Sequence, residues 1–330
     1  MPRTLIEAKE AVIVKPSPSD TLIVLPILVC RKGEAEKEFA AKITQLKNRL
    51  TPDAQLLKET IVNDERDVSL LDKPAEEADV ILLYKPHLGL GNCVVKISEY
   101  GLPMILFNEE GRVNNPLDAL EYVYPREKTW VAVDYPDLNS RLSLLSAKKK
   151  IEHTKILVLN ADYPHWERFL CRVSGGLEVI KERFGISLEY VKSEEVVARW
   201  KSIDEERAAS TVKKWMREAE SIVEPDEKDL TAVARLYLVM RDLLKEKSAQ
   251  AITMAYGDNP LPVPCFAYTN LRDEGVPAAC EADIISLLSM VILQHLTGKP
   301  CFMGNTFVDP NNKAIILSHC VCPRKMRGYD

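Results

Sequence analysis

The sequence predicts an α/β protein made of two three-layer units of parallel strands and crossover helices, residues 1–150 and 151–330. Three observations carry this reading. Nearly continuous apolar runs of strand length recur along the chain, as strands buried on both faces require. Stretches of helical period separate them. The alternation then starts afresh after the charged run 147–152, which marks the boundary between the units.

In the first unit, residues 21–30 (TLIVLPILVC) form the opening strand. Pro26 inside it lacks a backbone donor, which predicts a break or an edge position. Residues 33–49 follow with helical spacing and many i,i+4 charge pairs. Residues 78–84, 103–107 and 130–133 are further apolar strands. A Rossmann-like, mostly parallel sheet is the simplest way to connect them.

The second unit opens with strand 155–160. A helix then stops before Gly185, and strand 184–191 follows. Two amphipathic helices come next. The first covers about 203–219. The second opens at Asp226 or Lys228 and carries Leu230, Val233, Leu236, Tyr237, Met240, Leu243 and Leu244 on one face. Residues 250–256 form a buried strand that ends in a Gly-Asp-Asn-Pro turn. No sequence repeat relates the two units.

Beyond residue 260 the texture changes. Pro260, Pro262 and Pro264 precede Cys265-Phe266-Ala267-Tyr268. A helix is expected over 281–296, with Ile284, Leu287, Leu288, Val291 and Ile292 inward, and short strands over 299–303 and 314–317. The chain then ends directly after a motif, which reads as the start of a truncated C-terminal domain.

Composition excludes some functions. The 330 residues are 46% hydrophobic and 28% charged, with a formal net charge of −5. No basic stripe is present, so no nucleic-acid partner is expected. No apolar run reaches the roughly 20 residues that cross a bilayer, so no membrane association is expected. Acids near the N-terminus interrupt any signal-peptide core, and the protein is expected in the cytoplasm. Eight scattered cysteines read as small core residues of a reducing compartment rather than a disulfide framework.

The chemistry-bearing residues gather late in the chain. Glu281 and Asp283 lie in Cys280-Glu281-Ala282-Asp283. A helix N-terminus attracts such carboxylates for about 0.3–1 kcal/mol, and Asp283 suits that role. Glu281 suits a metal ligand and proton acceptor. Asn305, after Gly304, is either a turn residue or a neutral oxygen donor to a metal or sugar hydroxyl. His319, after strand 314–317, is either structural or an imidazole ligand for Mn, Fe, Co or Zn. Asp309 is a turn cap. Cys320-Val321-Cys322 would join His319 and Cys301 in a zinc site, but no second C-x₂-C pair supports it. Gly89-x-Gly91 lacks the third glycine and acid of a dinucleotide fingerprint. His87 and His165 fall in loops after strands, as surface or rim residues or as residues that line a cleft. No G-x-S-x-G, H-E-x-x-H or P-loop pattern occurs.

The segment Leu271-Arg272-Asp273-Glu274-Gly275-Val276-Pro277-Ala278-Ala279-Cys280-Glu281-Ala282-Asp283 with Leu296-Thr297-Gly298-Lys299-Pro300 resembles the L-fucose isomerase-like family. The resemblance is firm over about residues 250–323 and looser upstream. It implies two α/β domains and a β-barrel-like C-terminal part, of which this chain would hold the beginning. It also implies a divalent metal, Mn²⁺ or another, and a small sugar substrate isomerised through an ene-diol. Active sites near subunit contacts imply a homo-oligomer. By motif match, Glu281 takes the place of ligand and acid/base. Asn305 lies where the family has an Asp, 24 residues on (305 − 281). His319 resembles the histidine ligand of related arabinose isomerases. Thus Glu281 and Asn305 are the candidate catalytic residues, and Glu281, Asn305 and His319 the candidate metal ligands. The family's last metal histidine would fall beyond residue 330. A carboxamide at 305 cannot act as a general base. The alternatives are a non-catalytic sugar-binding or regulatory protein, or a metal-dependent hydrolase or lyase on the same scaffold.

Overall fold

The structure is a computed structural model that describes residues 20–33, 36–84, 90–107, 128–163, 174–257, 260–320 and 322–326, without the side chains of 36–38. His87, His165 and Gly89 lie outside these residues. Contacts divide the described chain into two compact units, one within Pro16–Lys149 and one within Lys150–Asp330.

The first unit contains β1 (Leu22–Val29), α1 (Glu36–Arg49), β2 (Ala54–Leu56), β3 (Thr60–Val62), α2 (Asp72–Glu77), β4 (Val80–Tyr84), α3 (Gly91–Ser98), β5 (Met104–Phe107), β6 (Thr129–Ala132) and most of α4 (Tyr135–Glu152). The strand order is β2-β1-β4-β5-β6, with β3 also on β1, and every pairing is parallel. Alternate residues of β1 enter two separate cores. Val24 and Leu28 pack with Phe39, Ile43, Leu138 and Leu142 on one face. Leu25, Ile27 and Val29 pack with Val94, Ile97 and Leu71 on the other. Two buried faces are why the strand reads as an unbroken apolar run rather than an alternating one.

Pro26 does not break β1 or put it on an edge; it pairs with Leu82 of β4 in mid-strand. Even-numbered residues of β1 turn their backbone groups toward β2 and β3. Leu22 N–H donates to Asp53 C=O (2.9 Å), Val24 C=O accepts from Leu57 N–H (2.8 Å), and Cys30 N–H donates to Val62 C=O (3.1 Å). Pro26 therefore faces residues 57–59, where β2 has ended and β3 has not begun. The neighbouring strand is interrupted at the one place where β1 has no donor to offer.

The second unit contains β7 (Lys155–Leu159), α5 (Gly176–Phe184), β8 (Ser187–Val191), α6 (Ser193–Ser202), α7 (Glu205–Glu218), α8 (Glu227–Glu246), β9 (Ala251–Met254), α9 (Cys265–Asp273), β10 (Ala278–Ala279), α10 (Ile284–Thr297), β11 (Asn305–Asp309) and β12 (Ala314–Ser318). Its parallel sheet has the order β10-β9-β7-β8. One face is covered by α7 and α8, whose Val212, Trp215, Leu236, Met240 and Leu243 pack on Leu157, Ile252 and Met254. The other is covered by Ile180 of α5 and by Ile284, Leu287 and Val291 of α10. The α/β expectation holds in both units.

The opening of α8 was readable because Asp226 forms a capping box. Its side chain accepts from Asp229 N–H (2.8 Å), and the Asp229 side chain accepts from Asp226 N–H (3.2 Å). Gly185 ends α5 with φ 70°, and a Cβ built there meets Glu152 Cα at 2.9 Å. Gly185→Ala therefore combines left-handed strain of about 1–2 kcal/mol with a collision against backbone that cannot swing aside. We expect a clear drop in the thermal midpoint of the second unit, measured by calorimetry; an unchanged midpoint would show that the loop relaxes freely.

The charged run 147–152 is the C-terminal end of α4, and the two units divide within it, between Lys149 and Lys150. Several expectations fail for physical reasons. Residues 265–273, left unassigned after the prolines, form α9; Pro264 precedes its first turn, where no donor is missed. The expected helix over 281–296 begins only at Ile284. The expected strand 299–303 is irregular, and the hairpin starts later, at Asn305. The hairpin β11–β12 is antiparallel and leaves Phe307, Val308, Ile315, Ile316 and Leu317 exposed. Among the described residues, no helix is long and apolar enough to cross a membrane.

Candidate functional site

The site grows from the carboxyl ends of β7, β9 and β10, where open parallel sheets commonly place ligands. β10 has only two residues, so side chains help hold it. Buried Arg272 of α9 donates through Nε to Ala278 C=O (2.7 Å), and Thr253 Oγ1 of β9 donates to Ala279 C=O (2.8 Å). The chain then makes a tight turn over Cys280–Asp283, closed by Asp283 N–H donating to Cys280 C=O (3.1 Å). Its central residues, Glu281 and Ala282, have φ of 63° and 55°. This is type I′ geometry, which usually selects Gly, Asn or Asp. Two side-chain-bearing residues there cost about 1–2 kcal/mol each.

A third left-handed residue stands nearby. Asn160, directly after β7, has φ 56° and is fully buried. Its Nδ2 donates to Ala255 C=O (3.0 Å), whereas its Oδ1 has no hydrogen-bond partner. Ala282 N–H donates to Met254 C=O (3.1 Å). Asn160 and the 280–283 turn are thus both tied to the end of β9. Sequence reading placed Asn160 in a strand and missed its importance; only the backbone angle and the orphaned oxygen reveal it.

Asp283 serves the start of α10, as its position suggested, accepting from Ser286 N–H (3.0 Å) and Ser286 Oγ (2.7 Å). Glu281, by contrast, is not in the first turn of that helix. It is half-buried in the preceding turn, between buried Cys280 and Ala282.

Asn305 opens β11, opposite Ser318 of β12, and is exposed. It therefore begins a strand rather than ending one. His319 follows Ser318 and is half-buried. Its Nδ1 lies 3.4 Å from Cys320 Sγ. Ligand atoms of Cys280, His319 and Cys320 all lie within 4.8 Å of one another. Cys265 Sγ, on the first residue of α9, lies 3.3 Å from Cys320 Sγ. Glu281 follows Cys280 in the turn, and Asn305 pairs with Ser318, next to His319, at the foot of the hairpin. Among the described residues, the Cys, His and carboxylate donors that meet at one point are thiols and an imidazole, and Glu281 is outside that group.

The cysteines divide by position. Cys30, Cys93 and Cys280 are buried, as small core residues are, but Cys265 and Cys301 are half-buried, and Cys320 and Cys322 are exposed. Burial pushes the Cys265 thiol up to about 12 and the Cys280 thiol up to about 11. Tyr268, fully buried on α9, has a hydroxyl without a hydrogen-bond partner, and burial raises it well above the ordinary tyrosine value. Trp215 wedges α9 in place, with ring centroids 4.7 Å from Phe266 and 5.4 Å from Tyr237.

A separate cleft of about 670 Å³ is lined by Lys214, Arg241, Asp273, Glu274 and Arg324, among others. None of Glu281, Asn305 or His319 lines it. Burial raises the Glu274 carboxyl above its ordinary value, although the Tyr237 hydroxyl donates to it. Its charges are largely consumed by pairing, Arg324 Nε with Asp273 Oδ2 at 2.6 Å and Arg241 Nε with Glu274 Oε2 at 3.5 Å. We read it as a structural ion-pair cleft.

No family model matches the chain. Over 146 residues it is 30% identical to a sulfoquinovose isomerase of Clostridium sp. strain MSTE9, covering 42% of this chain and 32% of that protein. A sulfoquinovose isomerase of Alkalicoccus urumqiensis is 26% identical over 195 residues, covering 56% of this chain and 42% of the relative. The L-arabinose isomerase of Thermotoga neapolitana is 25% identical over 257 residues, covering 63% of this chain and 51% of the relative. The matches thus span between a third and a half of the curated relatives' lengths. The likeness is to sugar isomerases and does not single out the L-fucose branch.

Proposed function

We propose that this chain contributes the α/β portion of a sugar isomerase that interconverts an aldose and its ketose through an ene-diol. The observation that carries the reading is the strained edge at the carboxyl ends of β7 and β10. Three of the five non-glycine residues with positive φ among the described residues, Asn160, Glu281 and Ala282, stand there. Strain of about 1–3 kcal/mol per residue persists where a site requires it, and here it displays a carboxylate. Similarity to proteins named sulfoquinovose isomerase and L-arabinose isomerase supports the reaction class.

In this reading Glu281 takes the proton from C2 of the open-chain aldose while O1 takes a proton from water, giving the ene-diol. Glu281 then returns its proton to C1 as O2 gives its own back to that water's hydroxide, giving the ketose. The Asn305 amide binds a sugar hydroxyl and moves no proton. Mn²⁺, which the resemblance implies, prefers carboxylate, carbonyl and water ligands. The donors that converge here are instead two thiols and an imidazole. They do not fit Mn²⁺.

The test is ketose formation from sulfoquinovose, L-arabinose and L-fucose, with and without added divalent metal, followed by NMR. Turnover of at least one sugar is expected. The neutral amide at 305 favours one other reading, a non-catalytic sugar-binding protein. Tight sugar binding by calorimetry that ignores chelator, with no turnover, would replace the isomerase by that protein.

A further inference from the structure

We propose that Cys265, Cys280, Cys320 and His319 form a tetrahedral zinc site that fastens the β11–β12 hairpin to the second α/β unit. The proposal is independent of the isomerase reading, since it uses none of the atoms assigned to proton transfer. The donors come from three separate segments: the start of α9, the turn after β10 and the foot of β12. Cys320 Sγ lies 3.3 Å from Cys265 Sγ and 3.4 Å from His319 Nδ1, and Cys280 joins His319 and Cys320 within 4.8 Å. Zinc bonds of about 2.3 Å to sulfur and about 2.0 Å to nitrogen place tetrahedral ligands roughly 3.5–3.8 Å apart. Cys320 Sγ already stands close to that range from both Cys265 and His319, while Cys265 lies outside the trio whose ligand atoms are all within 4.8 Å, so its thiol must turn toward Cys280 and His319 to complete the site. Three thiolates and an imidazole are also the donor set that zinc favours over manganese.

The buried Tyr268 hydroxyl supplies a second observation. It stands on the same helix as Cys265 and has no hydrogen-bond partner. Ligands of a metal are usually held by outer hydrogen bonds, and this buried hydroxyl is a donor able to serve one. The hairpin supplies the reason for a fastening. Two strands with exposed apolar side chains are marginal alone, and this hairpin leaves Phe307, Val308, Ile315, Ile316 and Leu317 in solvent. The metal, at its foot, would fix its exit from the unit. The zinc arrangement weighed from sequence used Cys301 and Cys322; the fold replaces them with Cys265 and Cys280, which sequence spacing could not connect.

The experiment measures metal in the full chain purified under reducing conditions, then titrates Co²⁺ into the metal-free protein. We expect about one zinc per chain and, with cobalt, thiolate charge-transfer and tetrahedral visible bands. Cys265→Ser and Cys280→Ser should each weaken binding more than about tenfold, whereas Cys301→Ser should not. If the buried Cys280→Ser variant fails to fold, Cys320→Ser at the exposed position and the cobalt spectrum of wild-type protein decide. No stoichiometric zinc in wild type, undiminished zinc in Cys320→Ser, or a Cys265–Cys320 disulfide in the unreduced peptide map would each overturn the site.

Discussion

Replacing Glu281 by glutamine is expected to lower ketose formation by about 10²–10⁴-fold, the range that a positioned acid/base supplies. The loss should fall on kcat, because a glutamine can still bind a hydroxyl but cannot carry the proton between C2 and C1. The substitution preserves the side chain's shape and the positive φ of 63°, so circular dichroism and the thermal midpoint should stay as in wild type. Asn305→Ala should instead raise KM with a smaller change in kcat, since the amide only holds substrate. Equal turnover by Glu281→Gln and wild type would remove the carboxylate from the mechanism. A stability loss without a kinetic one would assign the strained turn to the fold rather than to catalysis.

The largest stability effect is expected from Arg324→Met. Asp273 is only 3% exposed, and Arg324 Nε meets its Oδ2 at 2.6 Å while Lys325 N–H donates to Oδ1 at 3.0 Å. Arg324 also reaches Asn270 Oδ1 (3.2 Å) and Glu218 (3.4 Å). Removing the guanidinium leaves a buried carboxylate without its cation, which typically costs about 3–5 kcal/mol. Arg324 itself is 48% exposed, so the reverse change, Asp273→Asn, should cost less because the freed guanidinium turns to water. In a double-mutant cycle by urea unfolding, Arg324→Met with Asp273→Asn should be less harmful than the sum of the singles. Simple additivity would show that the pair is not coupled.

Much of the fold was readable because burial on two faces leaves a mark in one dimension. Residues 21–30, 78–84, 103–107 and 155–160 are mostly apolar, and the strands found there serve two cores at once. The helix starting near Asp226 and the stop at Gly185 were visible through local chemistry, a capping box and a left-handed glycine. Elements that depend on neighbours were not. β10 is two residues long and is held partly by Arg272 and Thr253, and α9 begins behind three prolines that suggest a loop. Pro26 was misread for the same reason, because its tolerance resides in the gap between β2 and β3 and not in β1.

At the site the division is similar. Residue types and order marked the region of Glu281, Asn305 and His319, since a carboxylate, an amide and an imidazole near strand ends carry chemistry wherever the chain folds back. They could not reveal that Glu281 sits in a left-handed turn, that Asn160 joins it across β9, or that Cys265 and Cys280 meet Cys320. Local pattern encodes which face of an element avoids water, because that preference repeats every two or 3.6 residues. Backbone strain and converging donors arise between segments 15 (280 − 265) to 122 (282 − 160) positions apart, and no period along the chain records a meeting that only packing creates.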